Sequence, residues 1–424
     1  LGSLEFTEKV IKITSRSNGY EFTYDSNQET KIKVGDQAII KQDPNLTVTV
    51  HKINPDKGTC VLKSTSDKLP YFLSLVPFKV VRPGVIEDSV RDIATRYLQS
   101  GDIKPCLENY LSKSRPRIKI EGDEDLSSWG KDSLESALKV ATNLDKGYLC
   151  IQGPPGTGKT YVGSKLIADL VEKGYRVGVA SNSHKAIDNL LQSVDKDLDE
   201  QSIEGLICRI NRDEDEFYNR SNRVERFKST SDVSSIEYFK VFGGTAWAFA
   251  HPIFLDQLDY LFIDEAGQVS IANLVGMSQC ADNLILMGDQ MQLSQPTMGT
   301  HPEGTGLSSL DYLLGEKPTI PKDIGILLPK TYRLHPDICD FVSKKVYEGR
   351  IAAIDDNKKR VIKPCLNSKY LKPSGIQYIE LDHHGNEQAS PEEVEVIKNI
   401  TRELLSSEKI GYEEKKISER DILI

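Results

Sequence analysis

Residues Tyr148 to Thr160 constrain the chain more than any other stretch. A short apolar run, Tyr148 to Ile151, gives way to Gly153, four further residues, then Gly158, Lys159 and Thr160, which is the spacing of a phosphate-binding loop. Glycines let the backbone turn tightly and aim successive N–H groups at one anion. Val162, Leu166, Ile167, Leu170 and Val171 follow at helical spacing. A helix starting near Lys159 adds its positive dipole end to the loop. Lys159 is placed to reach β- and γ-phosphates, and the Thr160 hydroxyl to ligate Mg²⁺. Pro154, Pro155, Gly156 and Thr157 complete the loop. An ordinary Gly/Pro turn gives no reason for a strand before it and a helix after it.

Length and charge set the limits around this loop. At 424 residues the chain holds about two to four domains. It carries a net charge of −9, which excludes a wholly basic nucleic-acid binder but not a locally positive groove. Two stretches supply local positive charge: Lys113 to Lys119, and Lys344 through Arg350 to Lys363. Each reads equally as solvated surface. The seven cysteines are scattered, with no metal-ligand spacing, so reduced thiols of an intracellular, cytoplasmic protein are expected. His383 and His384 are adjacent in a loop pattern without metal spacing. No apolar run reaches the length of a membrane span. The start Leu1-Gly2-Ser3 lacks Met and reads as a cloning remnant or an internal start.

Taken in order, residues 4–82 alternate in short β-type segments: Lys9 to Thr14, Tyr20 to Tyr24, Lys31 to Val34, Gln37 to Lys41, Leu46 to Ile53, Cys60 to Ser64 and Phe72 to Val81. A small β-barrel is expected there. Helical spacing then covers Ile86 to Leu98 and Pro105 to Leu111, and again Ser133 to Leu144. After the phosphate loop, strands and helices alternate in the βα manner of a parallel sheet. Asp213 to Ser235 is charged and weakly periodic, and reads as a mobile insertion. Ile324 to Leu328 and Gly375 to Leu381 read as the first strands of a second α/β block, Pro391 to Leu405 as a helix, and Asp421 to Ile424 as the start of a strand that is cut off.

Three further stretches carry chemistry. Asp264 and Glu265 stand at the end of the apolar run Tyr260 to Ile263. There Asp264 holds Mg²⁺ through water and Glu265 polarises the attacking water. Asn283 to Leu293 is a second strand with a polar end, where Gln292 can sense the γ-phosphate and Asp289 couple that to a nucleic-acid groove. Arg333, in Leu328 to Pro336, is a candidate cis arginine finger.

Six stretches in this order, Gly153–Thr160, Ser181–Asn189, Gly244–Thr245, Asp264–Gln268, Gly288–Leu293 and Tyr332–Pro336, resemble motifs I, Ia, Ib, II, III and IV of superfamily 1 helicases of the 5′→3′ branch. The wording is similar to the helicase half of bacterial RecB-like nuclease–helicase fusions and to the eukaryotic replication nuclease-helicase. The resemblance covers roughly residues 70–424. It implies a small β-barrel at 1–82, a helical stalk at 83–120, a first RecA-like ATPase domain at 121–327, and the truncated start of a second at 328–424. It implies ATP and Mg²⁺ at a RecA–RecA interface, and single-stranded DNA (or RNA) as partner. Ser181, Asn182 and Thr245 would touch strand phosphates and Tyr332 would stack on the base. A nuclease domain is expected only in a longer parent protein. No glutamine stands at the usual adenine-reading position, Gln152 being too close to the loop and Gln99 too far. The alternative reading is an ATP-responsive clamp that does not separate strands.

Overall fold

The computed structural model describes residues 1–26, 28, 30, 32–78, 84–211, 221–293, 302–366, 368–383, 385–386, 389–410 and 415–424. They form two compact units, Leu1–Pro83 and Gly84–Ile424.

In the first unit, seven strands form one antiparallel sheet: β1 (Leu4–Thr14), β2 (Ser17–Thr23), β3 (Gln37–Ile40), β4 (Asp43–Asn54), β5 (Thr59–Ser64), β6 (Phe72–Leu73) and β7 (Leu75–Pro77). The order is β6-β1-β2-β5-β4-β3-β7. The two end strands are consecutive in the chain, parted by Ser74 alone, so the sheet curls into a nearly closed barrel. Alternation turns Leu4, Tyr20, Phe22, Ala38, Ile40, Val48, Val50, Leu62, Leu73 and Leu75 into its core. The expected strand over Lys31 to Val34 does not form at the described residues 32–34. The Asp36 carboxylate accepts from the Lys33 N–H at 2.8 Å and Gly35 takes φ +92°, so the chain turns there instead. Residues 79–81 of the expected last strand, and residue 31, lie outside the described residues.

The second unit is a three-layer α/β/α body. Helices α1 (Val85–Ser100), α2 (Pro105–Leu111) and α3 (Ser133–Thr142) lead to β8 (Tyr148–Gln152) and α4 (Lys159–Glu172). Then come β9 (Val177–Ala180), α5 (His184–Glu200), β10 (Leu206–Ile210), β11 (Val224–Phe227), β12 (Phe239–Gly244), α6 (Ala246–Phe249), β13 (Leu258–Ile263), α7 (Ile271–Met277), β14 (Ala281–Gly288), α8 (Ser309–Leu314) and β15 (Gly325–Leu327). The eight strands pair in parallel in the order β11-β10-β12-β9-β13-β14-β8-β15. Successive residues face opposite layers: Leu149, Ile151, Val179 and Phe262 pack with α3, α4 and α5, and Tyr148, Cys150, Ala180 and Ile263 with the helices of the other layer. Each buried Val, Leu, Ile or Phe among them contributes about 1.5–3 kcal/mol relative to exposure. The arrangement is RecA-like, with a glycine loop joining β8 to α4. Helix α1 packs on this body, the Ser89 hydroxyl donating to Gly276 O at 2.7 Å.

Four strand assignments change. Gly325–Leu327 is the edge strand of the main sheet, paired with β8, because its apolar side chains complete both of that sheet's faces. Within Asp213 to Ser235, Val224–Phe227 pairs with β10 and so is built into the sheet; residues 212–220 lie outside the described residues. Gly375 to Leu381 finds no neighbouring strand to pair with and stays irregular. Asp421 to Ile424 forms no strand: Asp421 Oδ2 accepts from the Ser418 N–H at 2.9 Å and closes a turn of 3₁₀ helix that ends at Asp421.

Beyond Leu328 lie β16 (Lys330–Thr331), α9 (Pro336–Val346), β17 (Ala352–Ala353), β18 (Val361–Lys363), α10 (Pro391–Leu405), β19 (Glu408–Ile410) and β20 (Lys415–Lys416). β16 and β17 pair in parallel, and β18, β19 and β20 antiparallel. No helix among the described residues is long and apolar enough to cross a membrane, and all seven cysteines are free.

Candidate functional site

Because all strands of the main sheet run the same way, their carboxyl ends share one edge. The phosphate loop leaves β8 there. Gly156 and Gly158 take φ +74° and +85°, which L-residues with a Cβ adopt only under strain. A Cβ on Gly153 would lie 2.1 Å from Lys159 Cγ, so the lysine stem occupies the space a side chain would need. Lys159 Nζ donates to Gly153 O at 2.8 Å and stands 4.0 Å from Glu265 Oε1. Thr157 closes the loop by donating from its hydroxyl to Pro154 O at 2.7 Å.

β13 ends beside this loop. Asp264 is buried, and its carboxylate accepts from the Glu265 N–H at 3.0 Å. Burial first, and the Glu265 charge second, push the Asp264 carboxyl up to about 6, with the Glu265 N–H and Lys159 pulling the other way. Glu265 itself sits in the left-handed region, φ 51°. That non-glycine strain turns its carboxylate to the Lys159 side of the edge. Among the described residues no cluster of three or more His, Cys, Asp or Glu could hold a metal by itself. The available donors are the Thr160 hydroxyl and the Asp264 carboxyl. Together with the loop backbone, turned at Gly156 and Gly158 by their positive φ, they suit a Mg²⁺-bound triphosphate that brings its own oxygens.

The segment carrying Tyr332 and Arg333 is fastened to the loop. Thr331 Oγ1 donates to Pro155 O at 2.9 Å, and the Tyr332 N–H to Gly156 O at 2.8 Å. A Cβ on Gly156 would sit 2.3 Å from Arg333 Cβ. The Arg333 side chain is exposed and makes no ion pair among the described residues. Tyr332 is 54% exposed, so it is not a packed core tyrosine.

The three expected strand contacts share the same edge but differ in access. Ser181, after β9, is buried, its hydroxyl accepting from the Ser183 N–H at 3.4 Å. Asn182 is exposed, and its amide donates to Gln268 O. Thr245, after β12, is half-buried at the start of α6. The basic stretch at 344–363 is largely ion-paired: Lys344 with Asp340 at 2.8 Å, Lys358 with Asp355 at 2.8 Å and Lys359 with Asp356 at 2.9 Å. That fits a solvated surface rather than a groove.

The burial and partners of three polar side chains, Gln152, Asp289 and Arg209, escape sequence reasoning. Gln152 is fully buried. Its amide donates to Pro318 O at 2.9 Å and Gln290 Oε1 at 3.1 Å, and its carbonyl accepts from the Ile320 N–H at 2.8 Å. It is a strand-end brace. Asp289, also buried, accepts from Gln292 Nε2 at 2.9 Å and from the Tyr347 hydroxyl at 2.6 Å. On the far side of the sheet's centre, the fully buried Arg209 donates to Asp188 at 2.6 Å and to Ile210 O at 2.7 Å, tying β10 to α5. No local pattern marks a lone Gln, Asp or Arg as buried.

Comparison with known proteins agrees with the motif order. An AAA domain family model matches residues 134–302. DNA replication ATP-dependent helicase/nuclease DNA2 of Gallus gallus is 25% identical over 365 residues, covering 80% of this chain and 36% of that protein. The Homo sapiens DNA2 protein is 26% identical over 340 residues, covering 78% and 30%. The chain thus spans about a third of the length of the curated relatives it matches. The solved complex of Arterivirus nonstructural protein 10 (helicase) with DNA covers 79% of this chain and 58% of its own, at TM-score 0.36 and 12% identity. A likeness that weak carries no weight here, and the fold rests on the strand order itself. Motif order and relatives together bear out the resemblance: this chain resembles the helicases of superfamily 1, and the relatives it matches include DNA2 replication helicase/nucleases.

Proposed function

We propose that the chain is the motor part of an ATP-dependent translocase and helicase acting on single-stranded DNA. The observation that carries this is the convergence at one sheet edge of the Gly153–Thr160 loop, Asp264, Glu265 and the Thr331–Arg333 segment bonded to the loop. In this reading Lys159 exchanges Gly153 O for β- and γ-phosphate oxygens, and the loop N–H groups cradle the same anion. Bound Mg²⁺, held by Thr160 and Asp264, would supply charge neutralisation to the phosphates. Glu265 takes the proton of the attacking water. Gln292 senses the γ-phosphate, Arg333 offers it positive charge, and Tyr332 covers the base. Asn182 and Thr245, with the loop at Ser181, meet strand phosphates on the same edge. Residues 1–82 serve as a barrel that grips nucleic acid, 83–120 as its helical support, 121–327 as the first RecA-like domain and 328–424 as the beginning of a second. A nuclease domain belongs to the parent protein, as the names of the relatives suggest.

The test is steady-state ATP hydrolysis with and without unstructured single-stranded DNA, and with RNA of the same length. A motor is stimulated by its strand, because hydrolysis and strand contacts share one edge. Equal rates with and without either strand would remove the translocase reading and leave a strand-indifferent ATPase.

A further inference from the structure

We infer that Tyr347 is a positioning residue that couples the Gln292 loop to the Arg333 segment through the buried carboxylate of Asp289. The inference rests on the ATP-hydrolysing reading of the site. Asp289 follows β14 and is 3% exposed; Tyr347 directly follows α9 and is 2% exposed. The Tyr347 hydroxyl donates to Asp289 Oδ2 at 2.6 Å, and Gln292 Nε2 donates to the same oxygen at 2.9 Å. The other oxygen accepts from the Met291 N–H at 3.3 Å and stands 3.5 Å from Gln152 Nε2, at the root of the phosphate loop. One buried carboxylate therefore touches the loop strand, the γ-phosphate sensor and the helix behind Arg333.

The same helix is fastened at its other end. Thr331 and Tyr332, which precede α9, hold the loop carbonyls of Pro155 and Gly156. Helix α9 is therefore a strut of 11 residues with the phosphate loop at its start and Asp289 at its end. One N–H of the Gln292 amide is engaged by Asp289 Oδ2. Where turning toward a γ-phosphate draws Gln292 Nε2 away from that oxygen, the buried carboxylate releases it at low cost only if another donor stays on the same oxygen. On Oδ2 Tyr347 is that remaining donor, while the Met291 N–H stays on the other oxygen. Its short bond lets Gln292 move between Asp289 and phosphate while α9 stays in register.

The test combines three measurements on the whole chain. Tyr347→Phe keeps the ring and removes only the donor. It should lower strand-stimulated kcat by about tenfold while the ATP KM changes less than about threefold. In a Gln292→Ala background the same change should cost less than about twofold, since the donor's purpose is gone. A merely structural tyrosine would give equal losses in both backgrounds, and that result overturns the inference. Amide hydrogen exchange without nucleotide supplies an arm independent of turnover: Tyr347→Phe should speed exchange at both Met291 and Tyr332. Unchanged exchange at either amide also overturns it. If wild type proves strand-indifferent, the functional reading fails, and the exchange arm still decides whether Tyr347 joins the two segments.

Discussion

At the scale of single residues, the site is a set of charges held before their partner arrives. Among the described residues, Lys159 has only a carbonyl and a 4.0 Å carboxylate for its ammonium. Lys159→Ala should weaken Mg-ATP binding at least about tenfold and lower hydrolysis by roughly 10²–10³, as loss of a transition-state charge does. Glu265→Gln should bind ATP within about threefold of wild type and lose about 10²–10³ in turnover, because the amide cannot take a proton; substantial turnover in that variant would remove Glu265 from the base role. Asp264 gives a pH prediction for the protein free of nucleotide and divalent metal. Its carboxyl lies above its ordinary value, at about 6. The folded state thus holds a proton that the unfolded chain gives up near pH 4. The stabilising contribution is full below pH ~4 and is lost as pH rises through ~6, leaving a buried-charge cost of about 2–3 kcal/mol. Asp264→Asn should therefore melt a few degrees above wild type at pH 8, and the gap should shrink to roughly half by pH 5 and close only near pH 4. Thermal melts across that range check it; a gap independent of pH would mean that Asp264 is not protonated on folding.

At the scale of elements, the loop and the Arg333 segment act as one piece because Gly156 has no side chain. A Cβ there would press on Arg333 Cβ at 2.3 Å and Thr331 Oγ1 at 2.9 Å, in a backbone at φ +74°. Gly156→Ala should cost about 1–2 kcal/mol for the left-handed backbone alone and push Tyr332 off Gly156 O. Faster exchange of the Tyr332 amide, with α4 amides unchanged, is the expected signature. Much of this site was legible before folding, since loop, carboxylate pair and helix start are contiguous signals. The helix Pro391–Leu405 was equally plain, with Ser390 accepting from the Glu393 N–H and proline at its first position. What escaped depends on partners far away in sequence. Gly325–Leu327 joins β8, some 170 residues earlier in the chain, and no periodicity announces which sheet a three-residue strand will join. Val224–Phe227 lies in a charged stretch and is a strand because β10 has a free edge there. Tyr347 and Asp289 meet across 58 positions.

At the scale of the molecule, each unit has its own apolar core: the barrel around Phe22, Leu62 and Leu75, the α/β body on both faces of its sheet. Residues 84–424 should fold without the barrel, and lose affinity for single strands if the barrel is part of the grip. Circular dichroism and salt-dependent strand binding of the shortened chain test both statements; undiminished affinity would take the barrel out of the grip. The parallel sheet of the second unit carries one more consequence. From β8, where the glycine loop begins, the order runs through β14 and β13 to β9 and β12, so the ends that carry Ser181 and Thr245 lie about 14–19 Å away at ordinary strand spacing. Lateral hydrogen bonds lock that separation, and the edge is a ruler that ATP cannot stretch. On the proposed reading, whatever length of DNA passes per ATP is then set by how far the chain beyond Leu328 swings against this ruler, with the bonds from Thr331 and Tyr332 to the phosphate loop as its fulcrum.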